Sequence, residues 1–173
     1  KKKIKNKEKF IKKKCLPKNM FFNNQISNIG FFIHKSLAKK TMYDENRYII
    51  GSEDYDFVLR AILKSKECIL IDKSALGHVR LHEGRSVFND EKLSILKRYY
   101  YFTKKISCDG DYSSLTKNQK NVIQSNLSLY TSLLLMNLNK KKISIYFLMK
   151  AFKFKPTSCL SKRFIYLVYR ILN

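Results

Sequence analysis

The stretch Gly51-Ser52-Glu53-Asp54-Tyr55-Asp56-Phe57-Val58-Leu59-Arg60 constrains the fold more than any other part of the chain. It reads as a loop turning into a helix. A serine hydroxyl at Ser52 can accept from a backbone N–H left unpaired in a first helical turn. Glu53 and Asp54 then fall where the helix macrodipole favours negative charge. Tyr55, Val58, Leu59, Ile62 and Leu63 recur at i, i+3, i+4, i+7 and i+8, which is one apolar helical face. The pattern predicts a helix anchored by its later turns, ended by Lys64-Ser65-Lys66, with its acidic start beside a loop. Such a start can hold a carboxylate at the rim of a cleft. Acidic first turns are also common as plain caps, and taken alone the motif favours that reading.

With 173 residues the chain is long enough for one domain, or a small domain with an appendage. Its content of 45% hydrophobic and 13% aromatic residues suits a packed core rather than disorder. Lys and Arg total 36 against 13 acidic residues, a formal charge of +23. That excess suits nucleic acid, an anionic membrane surface or phosphorylated substrates. It also suits a biased base composition, because the excess is mostly Lys in a chain rich in Asn, Ile, Phe and Tyr. The cysteines, Cys15, Cys68, Cys108 and Cys159, form no C-x-x-C pair, so neither a zinc site nor a disulfide framework is expected. Buried thiols in a reducing compartment are expected instead. No signal peptide is legible. The apolar segment Leu127 to Leu138 is interrupted by Ser, Thr and Asn and falls short of the ~20 residues of a spanning helix. A start at Lys1 is what a fragment or processed product would show.

Lys1 to Lys18 is a lysine-rich arm closed by Pro17, and Gln25 to Ile33 is β-favouring strand material. Ser36 to Lys40 reads as a short basic helix. Tyr43 to Tyr48 is a polar turn leading to Ile49-Ile50. After the motif helix, Glu67 to Asp72 is a compact β-like run. In Gly77-His78-Val79-Arg80-Leu81-His82-Glu83-Gly84-Arg85-Ser86, an extended backbone puts His78, Arg80 and His82 on one face and Val79 and Leu81 on the other. That polar face suits a metal-bound diphosphate. A solvent-facing edge strand accounts for it equally well. From Asp90 the character is helical. Leu93, Leu96, Tyr100 and Ile106 give one face, and further helices are expected over Ser125 to Leu138, Ile143 to Phe152 and Leu160 to Leu172. The last has an apolar stripe of Phe164, Leu167, Val168 and Ile171 beside Lys162, Arg163 and Arg170. An ordinary packing face explains it, and an amphipathic helix on an anionic membrane is the alternative.

Taken in order, Tyr43-Asp44-Glu45, Glu53-Asp54-Tyr55-Asp56 with Arg60, the run Cys68 to Ile71, and Arg80-Leu81-His82 with Ser86 resemble the second half of a family 2 glycosyltransferase. That family shows an FDE turn, an ED-x-D-x-x-x-R helix start, a strand, and an R-x-H-x-x-x-S segment. Here Tyr43 stands where Phe is usual. The resemblance covers roughly Gln25 to Ser86. It implies an α/β fold: a partial GT-A-type mixed sheet with flanking helices over 1–89, then an all-α extension over 90–173. No D-x-D in a strand–loop context precedes Gln25. Asp109-Gly110-Asp111 has the letters but lies inside the helical region. The sequence-level expectation is therefore the acceptor half of an enzyme, inactive without its nucleotide-binding half.

By the resemblance, Asp54 is the general base of an inverting transfer and Glu53 orients it. His82 contributes to a divalent metal, Mn²⁺ or Mg²⁺, or to the diphosphate it carries. Arg80 and Arg85 neutralise charge on the leaving diphosphate, and Arg60 buttresses the acidic loop through a salt bridge. The implied partners are a nucleotide-diphosphate sugar and a glycan or lipid-linked acceptor. The implied setting is bacterial surface polysaccharide synthesis, in the cytoplasm at the inner face of the membrane, with peripheral contact to anionic lipid. The competing class is a non-enzymatic basic module binding RNA or anionic membrane. No RNP, KH or helix-turn-helix signature is present, so no specific nucleic acid is expected. A degenerate remnant without activity is the third reading.

Overall fold

Between residues 91 and 172 the chain holds one glycine, Gly110, and one proline, Pro156. Both open 3-10 turns that separate helices, and the helical run between them is broken once more, at Asn139. The computed structural model describes residues 11–13, 32–65, 69–71 and 91–172. Its elements are β1 (Ile11–Lys13), α1 (Lys35–Thr41), a 3-10 turn (Arg47–Ile49), α2 (Glu53–Lys64), β2 (Ile69–Ile71) and α3 (Lys92–Cys108). A second 3-10 turn (Gly110–Tyr112), α4 (Lys117–Asn137), α5 (Lys141–Phe154), a third 3-10 turn (Pro156–Leu160) and α6 (Lys162–Leu172) follow.

The α/β expectation is corrected here. Among the described residues the sheet amounts to β1 paired antiparallel with β2, three residues each, with Ile11 opposite Ile71. No mixed sheet flanked by helices is present among them. Phe32 and Ile33, the described end of the expected Gln25–Ile33 strand, have no regular structure. Its earlier residues lie outside the described part.

The central helix is α2. Every residue from Tyr55 to Ile62 is buried, so the expected single apolar face is in fact a helix enclosed on nearly all sides. It packs into a core with Ile49, Ile95, Tyr99, Phe102, Ile106, Tyr112 and Phe147. The Tyr55 ring meets Phe102 edge-on at 5.9 Å. On α3 the buried face is Ile95, Arg98, Tyr99, Phe102 and Ile106, while Leu93 and Tyr100 are exposed. The expected stripe is thus rotated from the true one: Ile106 is buried and Leu96 packs partly buried against the core, while Leu93 and Tyr100 face outward.

α4 starts eight residues before the expected Ser125. Thr116 and Gln119 form a capping box: the Thr116 hydroxyl accepts from Gln119 N–H, and Gln119 Oε1 accepts from Thr116 N–H at 2.8 Å. α4 and α5 form an antiparallel pair whose seam is lined with serines. Ser132 Oγ donates to the Ser144 carbonyl and Ser144 Oγ to the Ser132 carbonyl, both at 2.8 Å. Ser125 Oγ donates to the Ala151 carbonyl at 2.9 Å. Small side chains let the helix backbones approach, and these bonds leave no hydroxyl stranded in the seam. The turn between them uses Asn139 at φ 57°, a left-handed position that Asn tolerates. On α6, Leu167 is buried with Leu129, Met136, Leu148 and Ala151, and Phe164, Val168 and Ile171 pack partly buried against that cluster, as the stripe predicted. No helix among the described residues is long and apolar enough to cross a membrane.

Candidate catalytic site

The loop into α2 turns at Gly51, whose φ of +85° is a conformation that side chains resist. The Arg98 guanidinium packs against it, 2.8 Å from where a Cβ would stand. Ser52 does not cap the helix with its hydroxyl as expected. Its backbone, at φ −137° and ψ 4°, lies outside the β region from which an N-cap side chain reaches back. Its carbonyl still accepts from Asp56 N–H at 3.0 Å. Glu53 turns backward instead, and its carboxylate accepts from Gly51 N–H. Asp54 is partly exposed on the first turn.

Two residues on, Asp56 is fully buried. Its Oδ2 accepts from Arg60 Nε at 2.8 Å and from Lys105 Nζ at 3.0 Å, and its Oδ1 accepts from the Tyr112 hydroxyl at 2.6 Å. Arg60, itself buried, also donates through Nη1 to the Thr41 carbonyl and through Nη2 to the Met42 carbonyl at 2.8 Å. These bonds tie α2 to the end of α1 and to the turn that follows it. In that turn Tyr43 stacks on Phe57 with ring centroids 4.3 Å apart. Asp44 accepts from Lys105 Nζ at 2.5 Å, from the Tyr101 hydroxyl at 2.8 Å and from Asn46 N–H at 2.9 Å. The Tyr43-Asp44-Glu45 turn and the Glu53–Arg60 helix are therefore neighbours, joined through Lys105 of α3.

The electrostatics follow from this packing. Burial pushes the Asp44 carboxyl up, but the hydrogen bonds from Lys105, Asn46 and Tyr101 outweigh it and hold its pKa below the ordinary 3.8. Burial, then acceptance by Asp44, pushes Tyr101 up to about 12. Burial and the Asp56 charge carry Tyr112 well above its ordinary value. Burial pulls Arg60 down, yet the Asp56 contact more than offsets it, so Arg60 remains a cation. Two acids and two bases thus share a nearly dry space, each with an opposite charge in reach. That arrangement makes a rigid platform, with Glu53 and Asp54 on its outer rim.

Of the sequence-predicted residues, Glu53 and Asp54 stand together on the first turn of α2. Arg80, His82 and Arg85 lie outside the described residues, as does His78. The metal and diphosphate wall expected there is not built from described residues. Among the described residues, no three His, Cys, Asp or Glu side chains gather into a group that could hold a metal. Arg60 does form the expected salt bridge, to Asp56 at 2.6 Å and toward Asp111 at 3.6 Å. The expected burial of the cysteines fails at Cys108, an exposed free thiol.

Sequence reasoning missed Asp56, Lys105, Tyr112 and Asp111 as members of the site. The i, i+4 spacing of Asp56 and Arg60 was the available signal for the first pair. Asp111, set aside as part of a stray D-x-D, pairs with Lys64 at 2.8 Å. Nothing local announces Lys105, which arrives from 49 residues away. No protein-family model, curated protein or solved structure matches this chain.

Proposed function

We propose that the chain is the acceptor-side part of an inverting glycosyltransferase, with Asp54 as its general base. One observation supports this above the rest. Of the two aspartates in the motif, Asp56 is buried and saturated with donors, while Asp54, two residues earlier, keeps a partly exposed position on the same rigid helix start. A carboxylate there stays ionised beside the helix dipole and can accept the proton of an acceptor hydroxyl. The hydroxyl oxygen then attacks the anomeric carbon of the donor sugar, and the nucleoside diphosphate leaves with the bonding electron pair. Glu53, held by Gly51 N–H, braces the loop beside it. His82, Arg80 and Arg85 are left to the phosphate side of the reaction. The acceptor is a glycan or lipid-linked hydroxyl, and the proposed location is the cytoplasmic face of a membrane.

The test is sugar-nucleotide turnover with Mn²⁺ by the longest natural protein carrying this chain, read as nucleoside diphosphate release. Asp54→Asn is expected to lower turnover by about 10²- to 10⁴-fold, the usual contribution of a general base, with nucleotide affinity nearly unchanged. Wild-type turnover in that variant removes Asp54 from the role.

A further inference from the structure

From Tyr112 onward the chain contains no acidic residue, although Lys and Arg continue to its last helix. No acidic side chain therefore lies on α4, α5 or α6. In this cationic region the fold leaves two apolar stripes outside the core. On α5, Ile145, Met149 and Phe152 recur at i, i+4 and i+7, and all three are exposed, Met149 by 60%. On α6, Ile165, Tyr169 and Leu172 repeat that spacing and are exposed as well, Leu172 by 79%. This α6 stripe is not the one read from the sequence. Phe164, Leu167, Val168 and Ile171 are taken up by packing on α4 and α5, and the exposed stripe stands on the opposite side of the helix.

The two stripes face the same way. Round α5, Phe147 meets Tyr99 of α3 edge-on with ring centroids 4.7 Å apart, and Ser144 and Ala151 meet α4. Leu148 then joins the cluster around Leu167 of α6. The next positions round the helix are Phe152, Ile145 and Met149, so the α5 stripe lies on the α6 side of α5. α6 sits over the α4–α5 pair, and its own stripe points away from that pair. A flat surface laid against this side meets both stripes. Exposed lysines flank them at same-face spacings: Lys142 seven residues before Met149, Lys153 four after it, and Lys162 seven before Tyr169.

We infer that this face docks on an anionic lipid bilayer, with the apolar stripes at the boundary between headgroups and acyl chains and the lysines among the anionic headgroups. Charge complementarity selects the occupant. RNA would neutralise the lysines, but four of the six stripe residues are Ile, Met or Leu and offer no ring for a base to stack on. A second copy of the chain would cover the stripes but bring two cationic faces together. A bilayer carrying anionic lipid takes both the apolar side chains and the charge. Long lysine stems reach from an apolar surface to the headgroups. The inference deepens the membrane location proposed above, and it makes no use of Asp54, so lipid binding and turnover fail separately.

The experiment is co-sedimentation of the full chain with phosphatidylcholine vesicles, with and without phosphatidylserine, at fixed ionic strength and without donor sugar. Wild type is expected to bind the anionic vesicles about tenfold or more tighter than the neutral ones. Met149→Gln/Leu172→Gln, which removes apolar surface from both stripes, is expected to weaken anionic-vesicle binding about tenfold or more. Lys153→Gln/Lys162→Gln is expected to weaken it about as much. Lys92→Gln/Lys104→Gln removes the same formal charge from exposed positions of α3, away from the stripes, and is expected to bind within about twofold of wild type. All of these replace exposed side chains, so the melting temperature is expected to stay near that of wild type. No binding to anionic vesicles, equal losses in the α3 control and the face variants, or wild-type binding by Met149→Gln/Leu172→Gln overturns the face. A dimer in sedimentation velocity, or a complex with RNA, that Met149→Gln/Leu172→Gln abolishes while vesicles go unbound gives the face to that partner and overturns the inference.

Discussion

Asp54 and Asp56 differ by two positions and have opposite fates, because a helix turns about 200° between them. Asp56 points into the core and is completed there by Arg60, Lys105 and Tyr112. Asp56→Asn keeps the shape but leaves two buried cations short of a charge. Breaking a buried pair in this way typically costs about 3–5 kcal/mol, and equilibrium urea unfolding of the variant measures it. Asp44 makes a separate, pH-dependent contribution. Its folded pKa lies below the ordinary 3.8, so its contribution is complete above that value and is lost as pH falls through the lowered one. Unfolding free energy measured from about pH 6 down to about pH 2.5 should decline, and Asp44→Asn should flatten part of that slope. An unchanged slope would remove Asp44 from the account. The i, i+4 relation of Asp56 to Arg60 was legible in the sequence, as was the salt bridge assigned to Arg60. Lys105 and Tyr112 were not, since their approach depends on how α3 docks against α2.

Among the elements, α2 was the most legible. Its acidic start, its apolar residues and its Lys64-Ser65 end all stand where the pattern put them. Its capping was misread, because the loop geometry at Gly51 and Ser52 carries the polarity to Glu53 instead. Gly51→Ala should cost about 1–2 kcal/mol from the left-handed backbone alone, with a further loss from crowding the Arg98 guanidinium. A thermal shift scan checks it, and an unperturbed melting temperature would contradict the strained-loop description. On α3 the phase is off for a different reason. Leu96 and Ile106 of the expected stripe do pack inward, but Leu93 and Tyr100 do not, because Tyr residues fill both sides of this helix and Arg98 is drawn inward toward Gly51. Counting apolar letters cannot separate a tyrosine that packs from one that faces water. At α4 the Thr116–Gln119 capping box was present in the sequence and marks the true start.

For the molecule as a whole, the expected mixed sheet is replaced among the described residues by helices around α2, with β1 and β2 as a small antiparallel pair. The β-favouring composition of Gln25 to Ile33 and the alternation at His78 to His82 lie mostly or wholly outside the described part. The functional claim therefore rests on the platform that joins the Asp44 turn, α2 and α3. It requires activity and stability to separate cleanly between the two aspartates of the motif. The most direct measurement compares Asp54→Asn with Asp56→Asn in the longest natural protein carrying this chain, recording nucleoside diphosphate release and unfolding free energy for each. The account predicts that Asp54→Asn loses about 10²-fold or more in turnover while losing no more than about 1 kcal/mol of stability with the helix-dipole contact, whereas Asp56→Asn loses several kcal/mol of stability. Full turnover in a stably folded Asp54→Asn protein would contradict it.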